Sequence, residues 1–368
     1  MDLQRAEPCG PPLTAPNIEV WPLSMQGGRL SRYIRHFSVL WKLIPQARAA
    51  CLDMPQEHSL LAGIICRLRG TPYFVRLLGD WPEAILASGP NSRVRRLKAF
   101  VAETASRFLV RNAALVFAQG KALSAKYSRF NPAAMKADLV HTTLSADAFC
   151  ERESGTFHDP IRVISVAGLV PFKGLEALAS AISLLLRGKR RAEWWCVGKG
   201  PERPALESLA RSLGIASQVK FHGYIPLGPD LFRLYRDADV FVLPSKGGEG
   251  VPLAMLEAMA NSLPVVVTRV GGIPGMIADG VDGILVQPGK PVEIVTAICS
   301  LVDDPSLANR MRRAAFEKAR RYSAARVWDV QRRLIEATFG TFEHESDESR
   351  GRIAGPNQYT CPVSHPHI

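Results

Sequence analysis

Pro244-Ser-Lys-Gly-Gly-Glu249-Gly-Val-Pro-Leu-Ala-Met-Leu-Glu257-Ala-Met-Ala-Asn-Ser-Leu-Pro264 is the stretch on which the reading of the chain turns. It follows an apolar run of strand length at 239–243. In a doubly wound α/β sheet the ligand crevice opens at the carboxyl ends of the strands. Gly247, Gly248 and Gly250 allow the backbone to come close to a ligand, and Pro252 suits the first position of a helix. The amides around 250–253 then point out of a helix start, where phosphate binds readily. Leu253, Leu256 and Ala260 form the apolar stripe of that helix, and Glu257 falls within it at i+4 from Leu253. A carboxylate on a buried face costs several kcal/mol unless it is paired or strongly hydrogen-bonded, and ribose hydroxyls would supply such bonds. A lone glutamate there reads first as a helix-edge side chain reaching for solvent. The glycine loop, the second carboxylate and the strand-end position turn the reading towards a ligand site.

Outward from this stretch the alternation is regular. Strand-length apolar runs lie at 162–167, 194–197, 219–222, 239–243, 264–268 and 284–286. Helical periodicity fills the intervals at 174–186, 202–213, 229–236, 252–261 and 273–278, and helices follow at 291–302, 306–321 and 324–338. Continuous apolar strands alternating with helices predict a parallel sheet covered on both faces. The first half is also α/β, with strands expected at 17–21, 47–52, 73–77, 114–118 and 139–141, and helices at 31–43, 59–68, 94–111 and 121–130. The expected organisation is an unstructured lead at 1–16, a Rossmann-like lobe at 17–155, a second at 160–323, a helix at 324–340 packing back on the first lobe, and a disordered tail at 341–368. The first lobe reads as shortened. Residues 1–16 carry Pro8, Pro11, Pro12 and Pro16 and cannot supply an opening strand, glycine loop and helix, as a downstream start or truncated gene would leave it.

Bulk properties exclude several classes. Forty-six Lys and Arg against 34 Asp and Glu leave a net charge of +12, which favours anionic partners. No RNP, zinc-finger or comparable signature accompanies the basic clusters, so nucleic acid is not the expected partner. Seven scattered cysteines without a CxxC read as reduced, mostly buried thiols, and no His/Cys/carboxylate group has metal-ligand spacing. The N-terminus MDLQRAEPCG lacks a signal-peptide pattern and no apolar run spans a bilayer, so a cytoplasmic protein is expected. The basic helix at 94–111 interleaves arginines and Lys98 with Val94, Leu97, Phe100, Val101, Phe108 and Leu109, an interfacial pattern suited to the inner face of an anionic membrane.

A second strand-loop-helix, Val166-Ala-Gly-Leu-Val-Pro-Phe-Lys-Gly174, puts Lys173 at a helix mouth, where its ammonium can neutralise a diphosphate. Val197-Gly-Lys-Gly-Pro-Glu-Arg203 lacks the third small residue of a dinucleotide fingerprint and reads as a strand-to-helix turn. Together with the first stretch, these segments resemble family 4 of the retaining glycosyltransferases, which have the two-lobed GT-B fold. Glu249 to Glu257 matches the E-x7-E motif and 169–174 the phosphate-lysine loop. Gly198-Lys-Gly-Pro-Glu, Val219-Lys-Phe-His-Gly223, Tyr235-Arg-Asp-Ala-Asp-Val-Phe-Val-Leu-Pro-Ser245 and Gly271-Gly-Ile-Pro274 match further blocks in order. Tyr73-Phe-Val-Arg-Leu-Leu-Gly-Asp-Trp81 and Thr142-Thr-Leu-Ser-Ala-Asp147 look like the branch that builds bacterial surface polysaccharides.

The resemblance implies two Rossmann-like lobes facing a cleft and transfer of a sugar from a nucleoside-diphosphate sugar to a glycan or lipid-linked acceptor. Configuration would be retained, with no cofactor and no metal. It makes Glu249 and Lys173 catalytic and Glu257 the ribose ligand, with Gly250, Val251, Pro252, Leu253, Gly168 and His222 also on the donor. Two positions depart from the pattern: Gly168 stands where the family has Arg, and Gly275 where it has Glu. The alternative is a catalytically impaired GT-B protein that retains nucleotide binding.

Overall fold

The computed structural model describes residues 29–340, except 90, 91, 139, 141, 143 and 153–156. The lead at 1–16, the strand expected at 17–21 and the tail at 341–368 lie outside the described residues. The first lobe runs α1 (Arg29–Leu43), β1 (Ala50–Met54), α2 (Glu57–Arg69), β2 (Tyr73–Leu77), α3 (Trp81–Ala87), α4 (Arg93–Asn112), β3 (Leu115–Ala118), α5 (Lys121–Ser128) and β4 (Met135–Asp138). Its four strands pair in parallel in the order β1-β2-β3-β4. Leu52, Met54, Val75, Leu77, Val116 and Ala118 point to one face and form a core with Ile65, Cys66 and Leu109 of α2 and α4. On the opposite face, Arg76 forks onto Asp53 at 2.5 and 2.6 Å, which neutralises two charges across adjacent strands.

Two sequence expectations need correction here. Among the described residues the fourth strand of this sheet lies at Met135–Asp138, with Val116 opposite Met135 and Ala118 opposite Asp138, earlier than the expected 139–141, of which 139 and 141 lie outside the described residues. Its Lys-Ala-Asp sequence has no apolar run to announce it, and an edge position tolerates such residues. Helix α3 was not expected at all. Its signal is Asp80-Trp-Pro-Glu83, in which Asp80 caps the helix by accepting from the Glu83 amide at 3.2 Å and proline sits in the first turn.

The second lobe runs β5 (Ile161–Val166), α6 (Leu175–Arg187), β6 (Ala192–Val197), α7 (Arg203–Ser212), β7 (Val219–Gly223), α8 (Pro229–Asp237), β8 (Val240–Leu243), α9 (Leu253–Ala260), β9 (Val265–Thr268), α10 (Ile273–Met276) and β10 (Ile284–Val286). Helices α11 (Pro291–Asp303), α12 (Pro305–Arg320) and α13 (Ala324–Phe339) follow. The sheet order is β10-β9-β8-β5-β6-β7, all parallel. Ile161 and Val163 of β5 pack on one side with Leu178 and Ile182 of α6, while Ile164 packs on the other with Met255 and Met259 of α9. Burial on both faces explains why these strands read as unbroken apolar runs. The order doubles back between β5 and β8, which makes the gap at their carboxyl ends the topological switch point, where such folds bind ligands. Helix α13 starts on this lobe, where Ala324 N–H donates to Leu144 O at 2.8 Å, and runs back to the first, where the Phe339 ring lies 6.1 Å from that of Phe74 in β2.

Candidate functional site

Lys173 and Glu249 meet at the switch point. Beyond β5 the chain makes a short 3-10 turn over Pro171–Lys173 and then enters α6 through Gly174. A β-carbon at Gly174 would lie 2.2 Å from the Pro244 carbonyl oxygen, so the loops after β5 and β8 press together there. That contact delivers Lys173 Nζ to Glu249 Oε1 at 2.6 Å, and Ser245 Oγ donates to the same oxygen at 2.5 Å. The Ser245 carbonyl accepts from Thr268 Oγ1 at 2.7 Å, and the Glu249 carbonyl accepts from the Gly272 amide at 3.1 Å. The carboxylate is thus held from both its side chain and its backbone.

Glu257 lies one turn into α9 and is 8% exposed. Its Oε2 accepts from the Tyr235 hydroxyl at 2.9 Å. Burial pushes the Glu257 carboxyl above its ordinary range, and the tyrosine bond opposes that shift. Pro252 is the residue preceding α9 rather than its first helical residue, with ψ at 122°. It carries no N–H, so the outward amides of this helix start begin at Leu253.

The glycine loop has a different packing partner from the one its composition suggests. Gly248 has φ of +74°, and a β-carbon on it would lie 2.5 Å from Ala84 Cα. At Gly250 the obstacle is the Leu78 carbonyl oxygen, 2.4 Å away. The glycines therefore admit α3 and the end of β2 from the opposite lobe. Glu83 of α3 accepts from the Gly248 amide, and its pKa is raised by burial, which outweighs that bond. Gln119 Nε2 donates to the Val251 carbonyl at 2.6 Å, a second contact between lobes.

Gly168 and His222 do not join the cluster. Gly168 is exposed at the end of β5, and a β-carbon there would meet nothing within 4 Å. No steric demand calls for glycine, and a longer side chain has room. His222 sits on the edge strand β7, separated from β8 by β6 and β5, with its ring 6.0 Å from that of Trp195. Burial, followed by the charge of Lys220, lowers its pKa. Gly275 faces Lys121 of α5, whose Cβ would be 3.9 Å from an added β-carbon. Sequence reasoning missed Tyr235, Ser245 and Glu83 as parts of this site. Tyr235 and Ser245 lie in a matched block, but only the fold shows what they touch.

Residues 160–304 match the family model "Glycosyl transferases group 1". D-inositol 3-phosphate glycosyltransferase of Corynebacterium efficiens is 33% identical over 212 residues, covering 55% of this chain and 50% of the relative. Alpha-D-kanosaminyltransferase of Streptomyces kanamyceticus is 28% identical over 281 residues, covering 72% of this chain and 70% of the relative. The chain thus spans about half the length of the first of these. Among solved structures, Anabaena HepE in complex with UDP-glucose superposes with a TM-score of 0.67 at 19% identity, covering 82% of each chain. Sucrose-phosphate synthase of Thermosynechococcus elongatus superposes at 0.65 and 19%, covering 84% of this chain and 78% of that one. The second lobe is thus similar to the glycosyl transferases group 1 domains over residues 160–304, and the described chain has the two-lobed GT-B fold.

Proposed function

We propose that this chain is a retaining glycosyltransferase that moves a sugar from a nucleoside-diphosphate sugar to a glycan or lipid-linked acceptor in polysaccharide biosynthesis. The observation that carries the reading is the Lys173–Glu249 pair at the switch point, beside a helix start that leads to the buried Glu257. Glu257 takes the ribose hydroxyls and Glu249 the donor sugar. Lys173 and the amides from Leu253 onward hold the diphosphate. The C1–O bond to the leaving phosphate breaks as the acceptor oxygen bonds to C1 on the same face, and the acceptor proton passes to a phosphate oxygen. Positive charge at the leaving group comes from Lys173 and the helix start, a role that a divalent cation fills in other phosphoryl systems. Turnover should therefore persist in EDTA, and restoration by Mg²⁺ or Mn²⁺ after chelation would refute that point.

A screen of UDP- and GDP-sugars, read as transfer and as thermal protection by the free nucleotide, tests the whole reading. UDP or GDP should raise the melting temperature, and Lys173→Ala should shrink the rise. Protection without transfer from any donor would favour a binding protein over an enzyme. Gly168→Arg should tighten nucleoside-diphosphate binding roughly fivefold, because one charge-assisted contact of ~1.5–3 kcal/mol is offset by the ordering of a long side chain. Unchanged affinity, measured by calorimetry, would place residue 168 away from the phosphates.

The acceptor side of the proposal rests on α4. Val94, Leu97, Phe100 and Val101 are 64%, 63%, 66% and 55% exposed. Arg93, Arg96, Arg107 and Arg111 fall on the same helical face as Phe100. Leu109, which the sequence pattern counted among the interfacial residues, is fully buried and faces the core. Between α2 and α4 lies a groove of about 380 Å³ lined by Leu60, Ile64, Phe100, Val101, Ala105 and Phe108. An apolar strip flanked by arginines fits an anionic bilayer surface, where a lipid-linked acceptor would be found. No helix among the described residues is long and apolar enough to cross a membrane. Sedimentation with phosphatidylglycerol vesicles should exceed that with phosphatidylcholine, fall with salt, and drop in Leu97→Ser/Phe100→Ser. Equal behaviour of the variant and its parent would remove α4 from the proposal.

A further inference from the structure

Tyr235 and Glu257 form a buried pair across two helices. Tyr235 lies in α8 and is fully buried, and its hydroxyl reaches Glu257 Oε2 at 2.9 Å and the Ala254 carbonyl oxygen at 3.3 Å. A phenol has one proton to donate, and two acceptors stand before it. An ionised carboxylate is the stronger acceptor and the nearer one, so the proton is committed to Glu257. Burial, and then the glutamate charge, push the tyrosine pKa well above its ordinary value, so the phenol stays a donor near neutral pH. The ring packs 6.2 Å from Phe241 of β8, and the hydroxyl is therefore aimed by a rigid sheet.

We infer that Tyr235 is a positioning residue for donor recognition: its hydroxyl fixes the rotamer of Glu257, and the recognition of the donor ribose depends on it. This rests on the reading of Glu257 as the ribose ligand given above. A carboxylate on a buried helix face has a competing choice, to protonate or to swing to the helix edge. Either would present the wrong hydrogen-bonding group to a vicinal diol. The tyrosine opposes both by satisfying one oxygen and leaving the other to the ligand.

The test measures affinity for a nucleoside diphosphate and for its 2′,3′-dideoxy counterpart in the parent, Tyr235→Phe and Glu257→Ala, alongside donor KM and kcat. In Glu257→Ala the preference for the ribonucleotide should collapse roughly tenfold or more. Tyr235→Phe should lower the same preference about tenfold and raise donor KM, with kcat changed little. A general loss of packing weakens both nucleotides alike and leaves their ratio intact, so the ratio isolates the positioning role. Should Tyr235→Phe keep the parental ratio while Glu257→Ala loses it, the inference about Tyr235 is overturned and the ribose role of Glu257 stands. Should Glu257→Ala itself keep the parental ratio, the ribose reading fails and the inference falls with it.

Discussion

Glu249→Ala should lower sugar transfer by about 10²–10³ at saturating donor while leaving the chain folded. The carboxylate does two things in one place. It presents an acceptor at the switch point, and it anchors Lys173 Nζ at 2.6 Å, so its loss also frees the cation meant for the leaving phosphate. Stability should suffer less than activity. The Lys173 side chain is 16% exposed, and its ammonium can reach water once unpaired, unlike a charge sealed in a core. Glu249→Gln should fall between the two, because it keeps an oxygen for the Ser245 hydroxyl and removes the charge that holds Lys173. Single-turnover kinetics with a circular-dichroism control would measure this, and turnover near the parental rate in Glu249→Ala would sink the site assignment.

Gly248→Val should abolish transfer more completely than it abolishes nucleotide binding. A branched side chain at φ of +74° costs ~1–2 kcal/mol in backbone strain alone. Its β-carbon would also stand 2.5 Å from Ala84 Cα and 2.8 Å from the Ala84 nitrogen, both backbone atoms that no rotamer change can move. Relief requires that α3 back away from the loop, at a further ~1–3 kcal/mol of lost packing. Separated lobes leave a donor bound to the second lobe with no acceptor beside it. A loss of about 10²-fold or more in turnover, with nucleotide affinity within a few-fold of the parent, is the expected pattern. Gly168→Ala is the matched control, since its β-carbon meets nothing, and it should be neutral in both assays. If Gly248→Val turns over like Gly168→Ala, the contact between α3 and the glycine loop has no part in transfer.

The second lobe was readable because its strands are buried on both faces and its helices carry strong periodicity. The order that places Lys173 near Glu249 follows from that alternation, although their separation of 76 positions in sequence gave no hint of a direct bond. In the first lobe, Met135–Asp138 escaped notice because an edge strand may be polar at alternate positions. Helix α3 escaped because seven residues hold too little periodicity, and only its cap marks it. The glycine loop shows a different limit. Glycine after glycine announces close approach of something, and composition cannot say whether a phosphate or another helix comes close. Tyr235 escaped for the same reason, because its meaning lies in a partner 22 residues away on another helix.

The chain passes between the lobes twice, once after β4 and again along α13, and the bond from Ala324 N–H to Leu144 O ties the two passages together where they meet the second lobe. A single strand of chain between two bodies is a swivel; two strands clasped at one point act as a door hinge. Rotation about the line through both passages would keep the clasp and break the contacts of the glycine loop with α3 and Gln119, whereas twisting one body over the other must stretch the clasp or drag the Phe339 ring off Phe74. The glycine loop and α3 stand at the latch side of that door. Opening would part the Glu83 carboxylate from the Gly248 amide and leave Lys173 and Glu249 undisturbed on their own panel. On the proposed function, the same hinge would govern how the donor and acceptor reach the glycine loop.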